Sequence, residues 1–327
     1  MKTYYRLTGI IILIFILTRI DYRLMAAQLS RINILFFLLI NALLFPAIFF
    51  KALRWNYLLK TQGIEYPFKN ALTSYLGAIF VGIITPGRVG ECTKAVYLKN
   101  EKDVPATKSL SSIFLDRIFD LYFLVLIGGI GILKIMPEKV NLPLRIIFAV
   151  IFVCLPTLFL FNKKFFLKAA KGVYSKDFLK ITSRFIKEKP KEFFSHLNQL
   201  LLHQNVIIPL LLTVIAYGIY FLHSYLLARL LFIPISFRAV VFFIAIVNVA
   251  NILPISIFGI GTRDLSLVYF FSLNGLSSES ALAYSFLHLC SFYFLNGILC
   301  YFGWVLKEKN TAIHTKNGRH LSKKKTE

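Results

Sequence analysis

Asn248-Val-Ala-Asn-Ile-Leu-Pro-Ile-Ser-Ile-Phe-Gly-Ile-Gly-Thr-Arg-Asp264 lies between two strongly apolar runs, where a membrane helix would be expected to continue. Instead the stretch holds Pro254, Gly259, Gly261, the asparagines Asn248 and Asn251, and the charged neighbours Arg263 and Asp264. In hydrocarbon every unsatisfied backbone group is costly, so a broken helix survives only inside protein or around a polar cavity. Arg263 and Asp264 at that depth should face an interior rather than lipid. Taken alone, the segment reads equally well as half of a binding site or as a proline kink whose arginine sits at the headgroup boundary.

A second stretch is built the same way. Ile84-Thr-Pro-Gly-Arg-Val-Gly-Glu91 interrupts an apolar run with Pro86, Gly87, Arg88, Gly90 and Glu91. An apolar pattern resumes over Ala95 to Leu98 in one case and Leu265 to Phe271 in the other. Paired Gly/Pro-interrupted segments in corresponding halves point to a transporter site formed by an internal repeat. The likeness is one of design, not of residue-by-residue identity.

The composition is 57% hydrophobic and 16% charged, more apolar than a soluble domain of this size can use, which makes the chain an all-α polytopic membrane protein. Its net charge of +23 is spread over the connections and the tail, a positive-inside pattern suited to anionic lipid headgroups. The basic residues form no recognisable nucleic-acid-binding module, so nucleic acid is not an expected partner. Cys92, Cys154, Cys290 and Cys300 lie in or beside apolar runs without CxxC spacing, and neither a metal nor a cofactor is expected.

Taken in order, Leu7–Thr18 reads as a short first span and Ile32–Phe50 as a second. Lys51, Arg54, Lys60 and Lys69 then mark a cytoplasmic connection. Residues 71–98, basic on both flanks, suit a hairpin that enters from the cytoplasm and returns there. Ile113–Leu133 is a span that opens with Asp116, Arg117 and Asp120; Arg117 and Asp120, three apart on a helix, can pair or serve as an interfacial anchor. Lys134–Pro143 reads as an external loop and Leu144–Phe161 as a return span. Asn162–Gln204 carries ten Lys/Arg against three Asp/Glu, interleaved with Phe165, Phe166, Phe185, Phe193, Phe194 and Leu197. It suits either helices lying on an anionic leaflet or a solvated loop. Val206–Phe232 is a long span, residues 239–271 hold the second broken element, and Ala281–Leu306 is the last span. The expected architecture is about six full spans plus two re-entrant broken hairpins in an inverted repeat, within the cell membrane and with both termini cytoplasmic. Residues 1–306 form the membrane domain, and 307–327 form a basic, disordered cytoplasmic tail.

The run Pro86 to Glu91 with Lys94, the Asp116-Arg117 pair with Asp120, and Leu253-Pro254 through Asp264 resemble the lysylphosphatidylglycerol synthase transmembrane family, also called the flippase-like domain family. The resemblance covers roughly Tyr5 to Leu306, and the last run is its most specific part. The family's second motif usually ends in Arg-Glu, so Asp264 keeps the charge but shortens the reach. The resemblance implies a membrane part that moves a lipid between leaflets. In larger family members a soluble domain follows and transfers lysine from charged tRNA to phosphatidylglycerol. About twenty residues after the last span leave no room for that domain, so aminoacylation is not an expected activity.

These residues predict a lipid translocase whose two broken elements meet around a lipid headgroup. Arg88 and Arg263 offer bidentate donors to a phosphate. The half-helices restarting after Gly90 and Gly261 would aim their amides at it. Glu91 and Asp264 could hold the arginines, bind a cationic headgroup or carry a coupling proton. Pro86, Gly87, Pro254 and Gly259 shape the breaks, with Lys94, Asp116, Arg117, Asp120 and Asn251 as secondary residues. No phosphate-binding GxxxxGK[ST] loop is present, so transport would be passive or coupled to an ion gradient. The competing readings are a membrane enzyme acting on a lipid-linked substrate and an accessory subunit that docks a separate lipid-modifying enzyme.

Overall fold

The structure is a computed structural model that describes residues 21–85, 90–135, 190–200, 203–251 and 259–323, with the isolated positions 143 and 150. Several expectations lie outside these residues: the first span Leu7–Thr18, the Pro86-Gly87-Arg88 turn, the return span Leu144–Phe161, most of the basic loop before Pro190, and Pro254.

Among the described residues every regular element is helical. In chain order these are α1 (Tyr22–Ser30), α2 (Ile34–Ala42), α3 (Leu44–Thr61), α4 (Phe68–Ile84), α5 (Thr93–Lys102), α6 (Ala106–Ile135), α7 (Pro190–Leu200), α8 (His203–Leu230), α9 (Phe237–Ala250), α10 (Thr262–Ser272), α11 (Ser278–Leu289), a π-helical segment (Cys290–Leu295) and α12 (Asn296–Lys323). Three stretches are long and apolar enough to cross a bilayer: Ile34–Thr61, Val206–Leu230 and Ser278–Lys309. The helices flanking the two sequence breaks are shorter. α4 and α5 have 17 and 10 residues, and α9 and α10 have 14 and 11, below the roughly 20 that a full crossing needs.

The chain divides into two compact units. The first comprises Met1–Ala47, Asp120–Val173 and Tyr217–Leu295; the second comprises Ile48–Phe119, Tyr174–Ala216 and Asn296–Glu327. The first unit packs Phe243, Ile244, Leu267, Phe271, Tyr284 and Leu287 into its core, so the faces of α9, α10 and α11 meet there. The second is built around Trp55, Leu59, Tyr75, Leu76, Leu98 and Cys300, from α3, α4, α5 and α12. Gly303 lets α12 lie directly on α4: a Cβ at that position would come within 2.4 Å of Leu76 Cβ.

Three expectations change. Ile34–Thr61 runs well past Phe50, so Lys51, Arg54 and Lys60 lie within helix rather than in a connection. The helix tolerates Arg54 because a carboxylate neutralises it, as described below. In α7, Phe193, Phe194 and Leu197 are buried, and the Phe193 ring packs edge-on against Phe114 of α6 with centroids 6.0 Å apart. Its apolar face therefore covers protein, not a lipid leaflet. Finally, Lys307 is buried and paired, and α12 continues to Lys323, so helix runs through most of what reads as a disordered tail.

Candidate functional site

In the second unit the charged residues converge on Asp116. Arg54 donates from Nε to Asp116 Oδ1 at 2.9 Å, from Nη2 to the Asp116 carbonyl oxygen at 2.9 Å, and from Nη1 to Thr213 Oγ1 at 2.7 Å. Lys94 Nζ and the Tyr75 hydroxyl both donate to Asp116 Oδ2 at 3.2 Å. The Lys94 ammonium also stands 4.2 Å from the Tyr75 ring centroid, a cation–π contact that replaces part of its hydration. Arg54 and Asp116 are fully sealed from solvent and Lys94 is 1% exposed.

One residue further on, Arg117 joins the same cluster, its Nη2 3.9 Å from Asp116 Oδ2. That Nη2 ion-pairs with Glu91 Oε2 and donates to the Tyr75 hydroxyl at 3.4 Å. The Arg117 side chain is 31% exposed while Glu91 is 7% exposed, so this pair forms the accessible edge of the cluster. The residue before Glu91 is held close to α4: Gly90 N–H donates to Thr85 Oγ1 at 2.8 Å, and a Cβ on Gly90 would fall 2.4 Å from the Val81 carbonyl carbon. Among the described residues the cluster brings the cations Arg54, Lys94 and Arg117 together with the carboxylates Glu91 and Asp116.

The first unit builds a smaller cluster at the start of α10. Gly261 adopts φ +85° and Gly259 φ +74°, backbone conformations that side chains rarely take. The turn folds Asp264 back so that its Oδ2 accepts the Gly261 N–H at 2.8 Å. Its Oδ1 accepts from Ser285 Oγ and from Arg263 Nη2, the latter at 3.3 Å. Arg263 Nε donates to Ser285 Oγ at 2.7 Å. The shorter carboxylate of Asp264 therefore caps its own helix, occupying the N-terminal position where the sequence suggests a phosphate. Asn251, which caps α9, lays its amide over Gly259; a Cβ there would lie 2.7 Å from Asn251 Oδ1.

Of the residues the sequence singles out, the structure gathers Glu91, Lys94, Asp116 and Arg117 in one cluster and Arg263 and Asp264 in another. Asp120 is buried and falls in the first unit. Arg88 is outside the described residues. The two clusters belong to different units.

Over residues 6–298 the chain matches the model of the lysylphosphatidylglycerol synthase TM region. The chain belongs to this family. It is also 24% identical over 286 residues to a UPF0104 membrane protein of Methanocaldococcus jannaschii, covering 81% of this chain and 82% of that protein. No solved structure matches the chain. Family membership and the long apolar helices agree on a membrane protein.

Three buried polar features escape a reading of the sequence. Arg54 looks like one more basic residue after an apolar run; its partner Asp116 lies 62 positions away, beyond any local spacing rule. Lys307, at the apparent start of the tail, is buried against Glu101 Oε1 at 2.6 Å and donates to the Tyr66 hydroxyl at 2.6 Å. Burial raises the Tyr66 phenol above its ordinary pKa, so it stays protonated and donates to Glu101 Oε2 at 2.9 Å. The third feature is a histidine pair. His223 and His288 are both buried, with ring centroids 5.9 Å apart and planes at 90°. His223 Nδ1 and His288 Nε2 each lack a hydrogen-bond partner among the described residues, which costs about 1–3 kcal/mol apiece.

Proposed function

We propose that this protein binds the phosphate of a membrane phospholipid at its buried arginine–carboxylate clusters and moves the lipid between leaflets. The observation that carries this reading is the cluster around Asp116. Helices α3, α5 and α6 bring Arg54, Lys94 and Arg117 together although each cation is expensive at membrane depth, and Arg117 holds the accessible edge of the cluster. A lipid phosphate reaching the cluster meets that edge, and Arg117, first. Arginine suits the task because its planar fork matches phosphate geometry. Membership in a family described by a lipid synthase's membrane region supports the same substrate class.

In this reading the chain has about six full spans, with Ile113–Leu133 among them, and two re-entrant hairpins in an inverted repeat. Both termini lie in the cytoplasm of a cell whose plasma membrane holds the protein. Arg88 and Arg263 belong to the lipid path, and anionic headgroups hold the basic connections.

The test is the purified protein in vesicles with a labelled phospholipid in one leaflet. Protein-dependent equilibration between leaflets supports a translocase. Chemical conversion of the lipid would instead favour the membrane enzyme. Neither result would favour an accessory subunit, for which a separate lipid-modifying enzyme is the expected partner.

A further inference from the structure

The histidine pair lies in the same unit as Arg263 and Asp264, and no step described so far uses it. His288 stands one helical turn beyond Ser285 on α11, the residue that bonds both Arg263 and Asp264. From α8, His223 approaches it edge to face, and Tyr220 stacks on His223 with centroids 6.4 Å apart. Tyr284 covers His288 from one turn earlier, with centroids 5.1 Å apart, and its hydroxyl is spent on the Ser224 carbonyl at 2.9 Å. Asn41 of α2 meets the other nitrogen of His223, Nε2, at 3.4 Å. α10 supplies Arg263 and Asp264, and the π-helical segment that follows α11 begins with Cys290. π-helical turns inside long helices recur at functional sites.

We propose that His223 and His288 form a proton-binding pair, and that a proton there is taken up together with a phosphodiester anion held by Arg263. The inference rests on the lipid-phosphate reading above and adds a coupling ion to it. With both imidazoles neutral, Arg263 and Asp264 cancel, and the cluster has no need of an anion. One proton, entering at a nitrogen without a partner among the described residues, leaves a net positive charge in a buried site, which must be matched. A second proton is disfavoured, because two imidazolium rings at 5.9 Å would face each other beside a guanidinium. The Arg263 guanidinium retains a donor for the anion: Nε and Nη2 serve Ser285 and Asp264, and Nη1 makes no hydrogen bond to a described residue. Linkage then requires that each partner strengthen the other, so anion affinity rises as pH falls through the pair's titration. The anion can be a lipid headgroup or a free phosphodiester, since the chemistry is shared.

Calorimetry on the full chain in detergent tests this. Short-chain phosphatidylglycerol and dimethyl phosphate are titrated separately, because neither changes charge between pH 5 and 8. Each is run in two buffers of different ionisation enthalpy, which yields the protons taken up per anion bound. We expect net uptake approaching one proton and an affinity gain of up to about tenfold per pH unit on acidification. In His288→Asn and, should that variant fold poorly, His223→Asn, uptake should disappear and affinity should lose its pH dependence, staying at the parent's weak high-pH value. Phosphatidylglycerol binding with no proton uptake overturns the coupling and leaves the lipid reading intact. Uptake with dimethyl phosphate alone upholds the coupling and makes a free anion the ligand. Absence of binding by either probe at every pH overturns both.

Discussion

At the scale of single residues, Asp116 is the point on which the second unit depends. It neutralises Arg54 and Lys94, two cations with almost no access to water. Asp116→Asn keeps the shape but removes the charge, so it should destabilise the protein by about 3–5 kcal/mol, the usual result of stripping one partner from a buried pair. Denaturant unfolding in detergent reads this directly, and adding Arg54→Met to Asp116→Asn should recover part of the loss. Arg117, exposed at the edge, should behave differently. Arg117→Lys keeps the charge and loses the planar fork, so lipid movement should fall at least tenfold with stability changed by less than about 1 kcal/mol. Much of this site was legible. Glu91, Lys94, Asp116 and Arg117 stand out as charges beside an apolar run, which is a signal in one dimension. Arg54 and Lys307 did not stand out, because a basic residue at the end of an apolar run normally marks a boundary. Only a carboxylate brought in from a distant helix turns each into a buried partner.

At the scale of elements, the two breaks were legible because proline, glycine and charge cannot be hidden in a lipid-facing helix. Their inner geometry was not. The sequence shows Asp264 next to Arg263 but not that a φ of +85° at Gly261 turns its carboxylate onto that residue's own amide. Restoring the family's usual length with Asp264→Glu should weaken this cap, lowering stability by about 1 kcal/mol in the same unfolding assay. Helix α7 shows the reverse error. Basic residues with spaced aromatics describe a leaflet-bound helix and a protein-bound one equally well, because both bury one apolar face. Its Phe193 packs on Phe114, so Phe193→Ala should cost about 3–5 kcal/mol of folding stability. A leaflet-bound face would instead lose membrane affinity and leave unfolding unchanged. Close packing of α12 on α4 makes a matching prediction: Gly303→Ala should cost about 1–3 kcal/mol, since Leu76 must move to admit the methyl group.

At the scale of the whole molecule, the class was the most legible feature of all. A chain with 57% hydrophobic residues has to place that surface in lipid, and long apolar helices and a membrane family both agree. The division into two units, each assembled from three separated chain segments, had no sequence signal, because contact between distant helices leaves no local period. The central claim is that charged clusters inside this membrane fold serve a travelling phosphate rather than fold stability alone. Reconstitution of Arg117→Ala and Arg263→Ala beside the parent, with transbilayer movement of a labelled phospholipid followed in each, tests it most directly. The account predicts that the parent moves lipid and that both variants, shown to be folded in detergent, lose at least nine-tenths of the rate, about 1.4 kcal/mol or more of barrier. Folded variants that move lipid at the parent rate would contradict it.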